Sequence, residues 1–220
     1  AFESTASRRV LIGRWDSEGF VFTEPTPGAE IYAVITGGYA PEGLWLLRAT
    51  SPNPILIADH IDGQWRDWPV PGGLVAHKMA HDGKVFWLAC RRRRRAAETI
   101  LYSAQWGGSW TERLFLERTL NDMDGANGLL ACAGAGGLDL VDTRSFTVRS
   151  LDIGEDAHFD EVAISGLRCA AIGSGDLVWR SDDAGLTWRS ASAPASGLRA
   201  IAWMGEQVVC SRGTLLWLLS

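Results

Sequence analysis

Five consecutive arginines, Arg91, Arg92, Arg93, Arg94 and Arg95, are the densest charge in the sequence. A guanidinium forks a carboxylate or phosphate through two parallel hydrogen bonds, so the run is a candidate docking patch for an anion or an acidic protein. Five like charges also repel one another, and a plain solvated loop is the competing expectation. The opposite charge gathers at Asp152, Glu155, Asp156, Asp160 and Glu161, with His158 among them. Such carboxylates would suit Ca²⁺, but the D-x-D-x-D-G order is missing, so a solvated acidic loop is expected. Attraction between the two charged segments, within one chain or between copies, would permit self-association. His77 and His81 are four apart, a metal pair only on a helix; on a strand they lie ~13 Å apart. Asp59-His60-Ile61-Asp62 reads as a polar turn. No nucleophile elbow, phosphate-binding loop or dinucleotide fingerprint is present. No metal and no cofactor is expected.

The four cysteines, Cys90, Cys132, Cys169 and Cys210, lie 42, 37 and 41 residues apart. Each sits in an apolar run, such as Val85-Phe86-Trp87-Leu88-Ala89-Cys90. Equivalent positions of successive repeats are held beyond the ~7 Å Cα limit of a disulfide. Four reduced, buried thiols are therefore expected, each acting as a small hydrophobe.

Composition sets the class. The chain has 220 residues, 46% of them hydrophobic, so disorder is excluded. No apolar stretch approaches the ~18 residues of a membrane span. Nineteen arginines and only Lys78 and Lys84 face 26 acidic residues, for a net charge of -5. That balance argues against a nucleic-acid partner, which calls for a broad basic footprint. No signal-peptide core is visible, and Ala1 in place of Met suggests processing or trimming.

The regular spacing calls for a search for repeats. Ser181-Asp182-Asp183-Ala184-Gly185-Leu186-Thr187-Trp188 reads S-x-D-x-G-x-T-W. Ser103-Ala104-Gln105-Trp106-Gly107-Gly108-Ser109-Trp110 keeps the spacing as S-x-Q-x-G-x-S-W. Weaker copies end at Phe22, Trp65 and Phe146, so the closing aromatics fall 43, 45, 36 and 42 residues apart. The 181–188 segment resembles an Asp-box, the BNR repeat of sialidases, sortilin-type receptors and photosystem assembly factors. In that family the box is the turn between the third and fourth strands of a β-propeller blade. The letters suit such a turn: Asp and Ser or Thr bond its backbone, Gly takes the positive φ, and Trp packs beneath. On this resemblance Ser181, Asp183, Gly185, Thr187 and Trp188, and in the weaker copy Ser103, Gly107 and Trp110, are structural.

Between the boxes, short apolar runs alternate with Gly, Pro, Asn and Asp, and no helical period is sustained. Leu129–Ala133, Leu138–Val141 and Thr147–Leu151 read as successive strands. Four strands per ~42 residues is the size of a propeller blade. The expectation is one all-β domain over 1–220, a five-bladed propeller of four-stranded antiparallel blades. Its blades would span roughly 23–70, 71–117, 118–153, 154–193, and 194–220 joined by 1–22. Strands from both termini would close the ring and remove the free edges.

In propellers, ligands usually sit on the face opposite the box turns, and the arginine run, following a second strand, falls on that face. Sialidase activity is not expected: the F-R-I-P motif is absent, only Tyr32, Tyr39 and Tyr102 are available, and five blades is one short. Glycosidases of other five-bladed families use carboxylates near the axis. Asp122, Asp124 and Asp160 are the candidate set if the chain is a hydrolase. Trp15, Trp45, Trp68 and Trp106 lie near turns and are expected to be exposed; Trp45 and Trp68 are the candidate ligand platform. The expected role is a non-catalytic binding or assembly module docking a protein partner through Arg91–Arg95. A glycan-binding, lectin- or adhesin-like propeller of a secreted or virion protein is the alternative, and a glycoside hydrolase the second alternative. The compartment stays open: the Asp-box resemblance leans to the cell surface or outside, while unpaired thiols lean the other way.

Overall fold

The computed structural model describes residues 2–4, 9–16, 19–23, 34–48, 55–60, 63–92, 95–151, 158–212 and 215–219. Among them every regular element is a strand, and no helix is long and apolar enough to cross a membrane. β1 (Phe2–Ser4), β2 (Arg9–Asp16) and β3 (Gly19–Thr23) form a three-stranded sheet. The first four-stranded sheet holds β4 (Val34–Ala40), β5 (Gly43–Arg48), β6 (Ile55–Ala58) and β7 (Arg66–Trp68). The second holds β8 (Leu74–His81), β9 (Phe86–Arg92), β10 (Arg95–Ala104) and β11 (Thr111–Leu116). The third holds β12 (Leu120–Ala126), β13 (Leu129–Gly134), β14 (Gly137–Asp142) and β15 (Val148–Leu151). The fourth holds β16 (Phe159–Ser165), β17 (Arg168–Gly173), β18 (Leu177–Ser181) and β19 (Arg189–Ser192). A fifth holds β20 (Ala200–Met204), β21 (Gln207–Arg212) and β22 (Leu215–Leu219).

Every sheet is an antiparallel meander of chain neighbours. The first strands pack in sequence, β4 on β8, β8 on β12, β12 on β16 and β16 on β20. They line the axis of a five-bladed β-propeller. Among the described residues β22 pairs only with β21, and β1–β3 pair only with one another. Short connections make the local β1–β3 pairing cheap in loop entropy, whereas joining the two termini closes nearly the whole chain into one loop.

Burial grades from the middle of each blade to its rim. The second strand β13 is buried at every residue, and β9 from Phe86 to Cys90. Both faces of such a strand meet a neighbouring blade, which is why it reads as an unbroken apolar run. The fourth strands are polar and exposed, as in Arg189-Ser190-Ala191-Ser192. Alternate residues of one strand feed alternate cores. Phe86, Leu88 and Cys90 pack toward the first sheet, while Trp87 and Ala89 pack toward the third. Two further cores join the third sheet to the fourth and the fourth to the fifth.

The cysteines occupy one place in this scheme. Cys90, Cys132, Cys169 and Cys210 all lie on second strands, buried and free. Burial pushes the Cys90 thiol up to about 12 and the Cys210 thiol up to about 11.

The Ser181–Trp188 turn joins the third and fourth strands of its sheet, the place the resemblance implies. The Ser181 hydroxyl donates to Asp183 Oδ1 at 2.8 Å and accepts from the Gly185 N–H at 2.8 Å. Asp183 accepts from the Thr187 hydroxyl at 2.6 Å and from the Thr187 N–H at 2.9 Å. Gly185 has φ +78°, and a Cβ there would run into Leu140 of the neighbouring blade. Trp188 packs against the core beneath. The Ser103–Trp110 turn is also between third and fourth strands, but its bonding differs: the Ser103 hydroxyl accepts from Arg113 Nε at 2.8 Å. Gly107 keeps a positive φ of +67°.

Candidate functional site

The axis opens at two ends. First strands begin at one end, where second-to-third-strand hairpins also turn; the box turns lie at the other. At the strand-start end a cavity of about 660 Å³ is lined from four sheets. His77, Lys78 and Arg91 come from the second sheet, Asn121 from the third, Asp160 and Glu161 from the fourth. Arg199, just ahead of β20, completes the charged lining.

Register explains the delivery. A bulge between Ala76 and Lys78 turns β8 at His77, and another between Phe159 and Glu161 turns β16. Bulges of this kind re-aim side chains that strict alternation would send elsewhere. Lys78 Nζ lies 3.2 Å from Asp122 Oδ1, and Asp122 Oδ2 accepts from the Val162 N–H at 3.1 Å. Glu161 shares a hydrogen bond with Asp122. Burial first, then the Asp122 charge, raises Glu161 to about 7, against the pull of Lys78. One carboxyl of the pair thus titrates near neutral pH beside a carboxylate bound to an ammonium group. Among the described residues neither ring nitrogen of His77 reaches a hydrogen-bond partner, although both are buried. Burial, and after it the Arg91 charge, lowers His77 to about 4; the Val75 carbonyl opposes this in part without hydrogen-bonding geometry.

The carboxylates singled out from the sequence have different partners. Asp122 reaches the cavity end of the axis. Asp124 lies further along β12 and accepts from the Ile164 N–H at 2.9 Å and the Gly125 N–H at 2.8 Å. Burial raises it even so. Both aspartates bridge β12 to the backbone of β16, an inter-blade structural role. Asp160 is half exposed and faces His158 at 3.5 Å. Glu161, grouped in the sequence with the acidic loop, is the residue that joins Asp122. The signal available beforehand was its spacing of 39 residues from Asp122, close to one repeat.

The described part of the arginine run lies on two paired strands. Arg91 and Arg92 end β9, and Arg95 opens β10 paired with Arg92. Arg93 and Arg94 lie outside the described residues, as do Asp152, Glu155 and Asp156. Arg92 is exposed. Among the described residues no carboxylate lies within 4.0 Å of Arg91, Arg92 or Arg199, while Arg48, Arg66, Arg118, Arg180 and Arg189 each have one.

The tryptophan platform is corrected by burial: Trp45 is 5% exposed and Trp68 is 1% exposed. Trp68 stacks on Trp110 at 4.5 Å and donates from Nε1 to the Gly108 carbonyl at 2.8 Å. Inter-blade packing claims both rings, because a large apolar ring contributes more buried there than at the surface. Trp106 is half-buried on the same cluster, with its Nε1–H on Asp59 at 3.3 Å. At the other end of the axis, Trp45, His81 and Asp124 border a second cavity of about 390 Å³. Among the described residues no group of three or more His, Cys, Asp or Glu is placed to hold a metal ion.

No protein-family model and no curated protein sequence matches the chain. Among solved structures, the crystal structure of a puromycin hydrolase mutant complexed with PGG is similar, with a TM-score of 0.66 and 14% identity. The match covers 95% of this chain and 39% of that one. At that identity it shows the propeller fold alone.

Proposed function

We propose that this chain is a non-catalytic binding module that docks an acidic protein partner through the face carrying the second-to-third-strand hairpins. The supporting observation is that Arg91, Arg92 and Arg199 stand on that face with no carboxylate within 4.0 Å among the described residues. Rigid sheets hold the hairpins, and variable loops on a rigid scaffold are a usual basis of recognition. The bonding of the Ser181–Trp188 turn supports reading the repeats as Asp-boxes, which makes them scaffold and not site.

The test is binding of a fluorescent glutamate-rich peptide to the wild type and to a variant with Arg91–Arg95 changed to Ser. Docking predicts affinity that falls steeply with salt and is lost in the variant. A variant with Arg144 and Arg149 changed to Ser, on the box-turn side, should bind like wild type. Equal binding by all three would overturn the reading. A hydrolytic role has one feature in its favour, the Glu161 carboxyl raised toward neutrality beside Asp122. Turnover of aryl glycosides that disappears in Glu161→Gln would establish that role instead.

A further inference from the structure

The docking face has a concave centre, and its chemistry is more specific than its charge. The cavity of about 660 Å³ receives side chains from four sheets. Its cations differ in what they are free to do. Lys78 is committed to Asp122 at 3.2 Å, whereas Arg91 and Arg199 have no carboxylate within reach among the described residues. His77 floors the cavity with a ring whose nitrogens are buried and find no partner among the described residues. Two guanidinium groups on one concavity, neither with a carboxylate within reach among the described residues, make a receptor for an anion with planar, paired oxygens.

We propose that this cavity binds the side-chain carboxylate of an acidic segment of the partner, held by Arg91 and Arg199 with His77 beneath. The proposal rests on the docking reading and names the group that the partner inserts. A peptide carboxylate fits better than a bare surface contact because the site is recessed and its cations come from separate blades.

The occupant also acts on Glu161. That side chain faces Asp122 of β12 and Lys78 of β8, has Asp160 beside it, and shares the cavity with His77, Arg91 and Arg199. Ionised, Glu161 repels an incoming carboxylate; protonated, with its proton shared with Asp122, it does not. Binding therefore takes up a proton at Glu161, and affinity falls as pH rises through about 7. His77 is neutral across that range and contributes no proton. His158, 3.5 Å from Asp160, is the other group that must be separated out.

The experiment is fluorescence anisotropy with a labelled octaglutamate peptide at fixed ionic strength, at about pH 6 and about pH 8. The peptide stays ionised at both, its carboxyls having pKa ≈ 4.3. Wild type should bind about tenfold tighter at the lower pH, the change that one pKa unit at Glu161 produces. Glu161→Gln should bind equally at both pH values, at the tighter level. Arg199→Ser should lose about tenfold at both, and His158→Gln should keep the wild-type pH dependence. Undiminished pH dependence in Glu161→Gln, or full affinity in Arg199→Ser, would overturn the cavity. If Arg199→Ser binds fully while the Arg91–Arg95 variant does not, docking stands and the cavity falls. If neither variant loses affinity, both fall. Competition by free succinate at the peptide's own affinity would identify a small dicarboxylate as the ligand and overturn the peptide assignment.

Discussion

The two ends of the propeller use carboxylates in opposite ways. At the box-turn end Asp82, Asp142 and Asp183 build backbone turns. Asp82, 1% exposed, accepts from the Lys84 and Val85 N–H groups and from Trp87 Nε1. Burial alone would raise it, but these bonds and one from Thr143 outweigh burial and lower it. Asp142 bonds the Arg144 and Ser145 N–H groups, and Asp183 is held at about 2 by the Thr187 hydroxyl and N–H. At the other end Glu161 has no such donors and is raised to about 7. Carboxylates of one type thus serve stability where backbone N–H groups converge on them. They are left to titrate where like charge and burial meet at a cavity.

The difference can be broken from either end. The largest expected effect is Asp82→Ala, which strips several buried donors of one charged acceptor. Its unfolding free energy should fall by about 3 kcal/mol, measured by urea denaturation at neutral pH. A loss below about 1 kcal/mol would mean that water replaces the carboxylate. Because the native value is lowered, this stabilisation is present at neutral pH and fades as pH drops into the acid range.

The next effect has the opposite sign in pH. Glu161 releases its proton at about 4.5 when unfolded and about 7 when folded. Wild type should therefore lose stability as pH climbs between those values. Glu161→Gln should flatten that slope in melting temperatures taken from about pH 4.5 to 8, while Asp183→Asn should leave it intact. A slope unchanged in Glu161→Gln would remove Glu161 as its source. Smaller still, Arg199→Ser should change stability by under about 0.5 kcal/mol, as exposed substitutions do, and the half-buried Arg91→Ser by under about 1 kcal/mol. A larger loss would make these arginines part of the scaffold. At the bottom of the scale, the four thiols should resist a disulfide reagent in the native state and react only on unfolding. Prompt labelling of Cys90 or Cys210 would show a blade that opens.

Much of this was readable in one dimension, but unevenly. The strands Leu129–Gly134 and Gly137–Asp142 lie within a residue or so of their expected limits, because a buried second strand is a continuous apolar run. The Ser181–Trp188 turn was legible because its bonds are local. The site was not. Asp122 and Asp124 look alike in sequence, two apart on one strand; only their partners, Lys78 and Glu161 against the Ile164 and Gly125 N–H groups, tell them apart. Trp45 and Trp68 stand near turns, yet inter-blade packing buries them.

The sequence by itself determined the repeat, the all-β architecture, the reduced thiols on equivalent strands and the concentration of arginine at one hairpin. These depend on periodicity, side-chain volume and turn chemistry within a few residues. Only the tertiary structure decided which charges meet. The cavity draws Lys78, Arg91, Glu161 and Arg199 from three sheets across more than a hundred residues of chain. Two bulges of a single residue re-aim its lining. Coulomb energy and desolvation depend on distances through space, which no spacing along the chain contains.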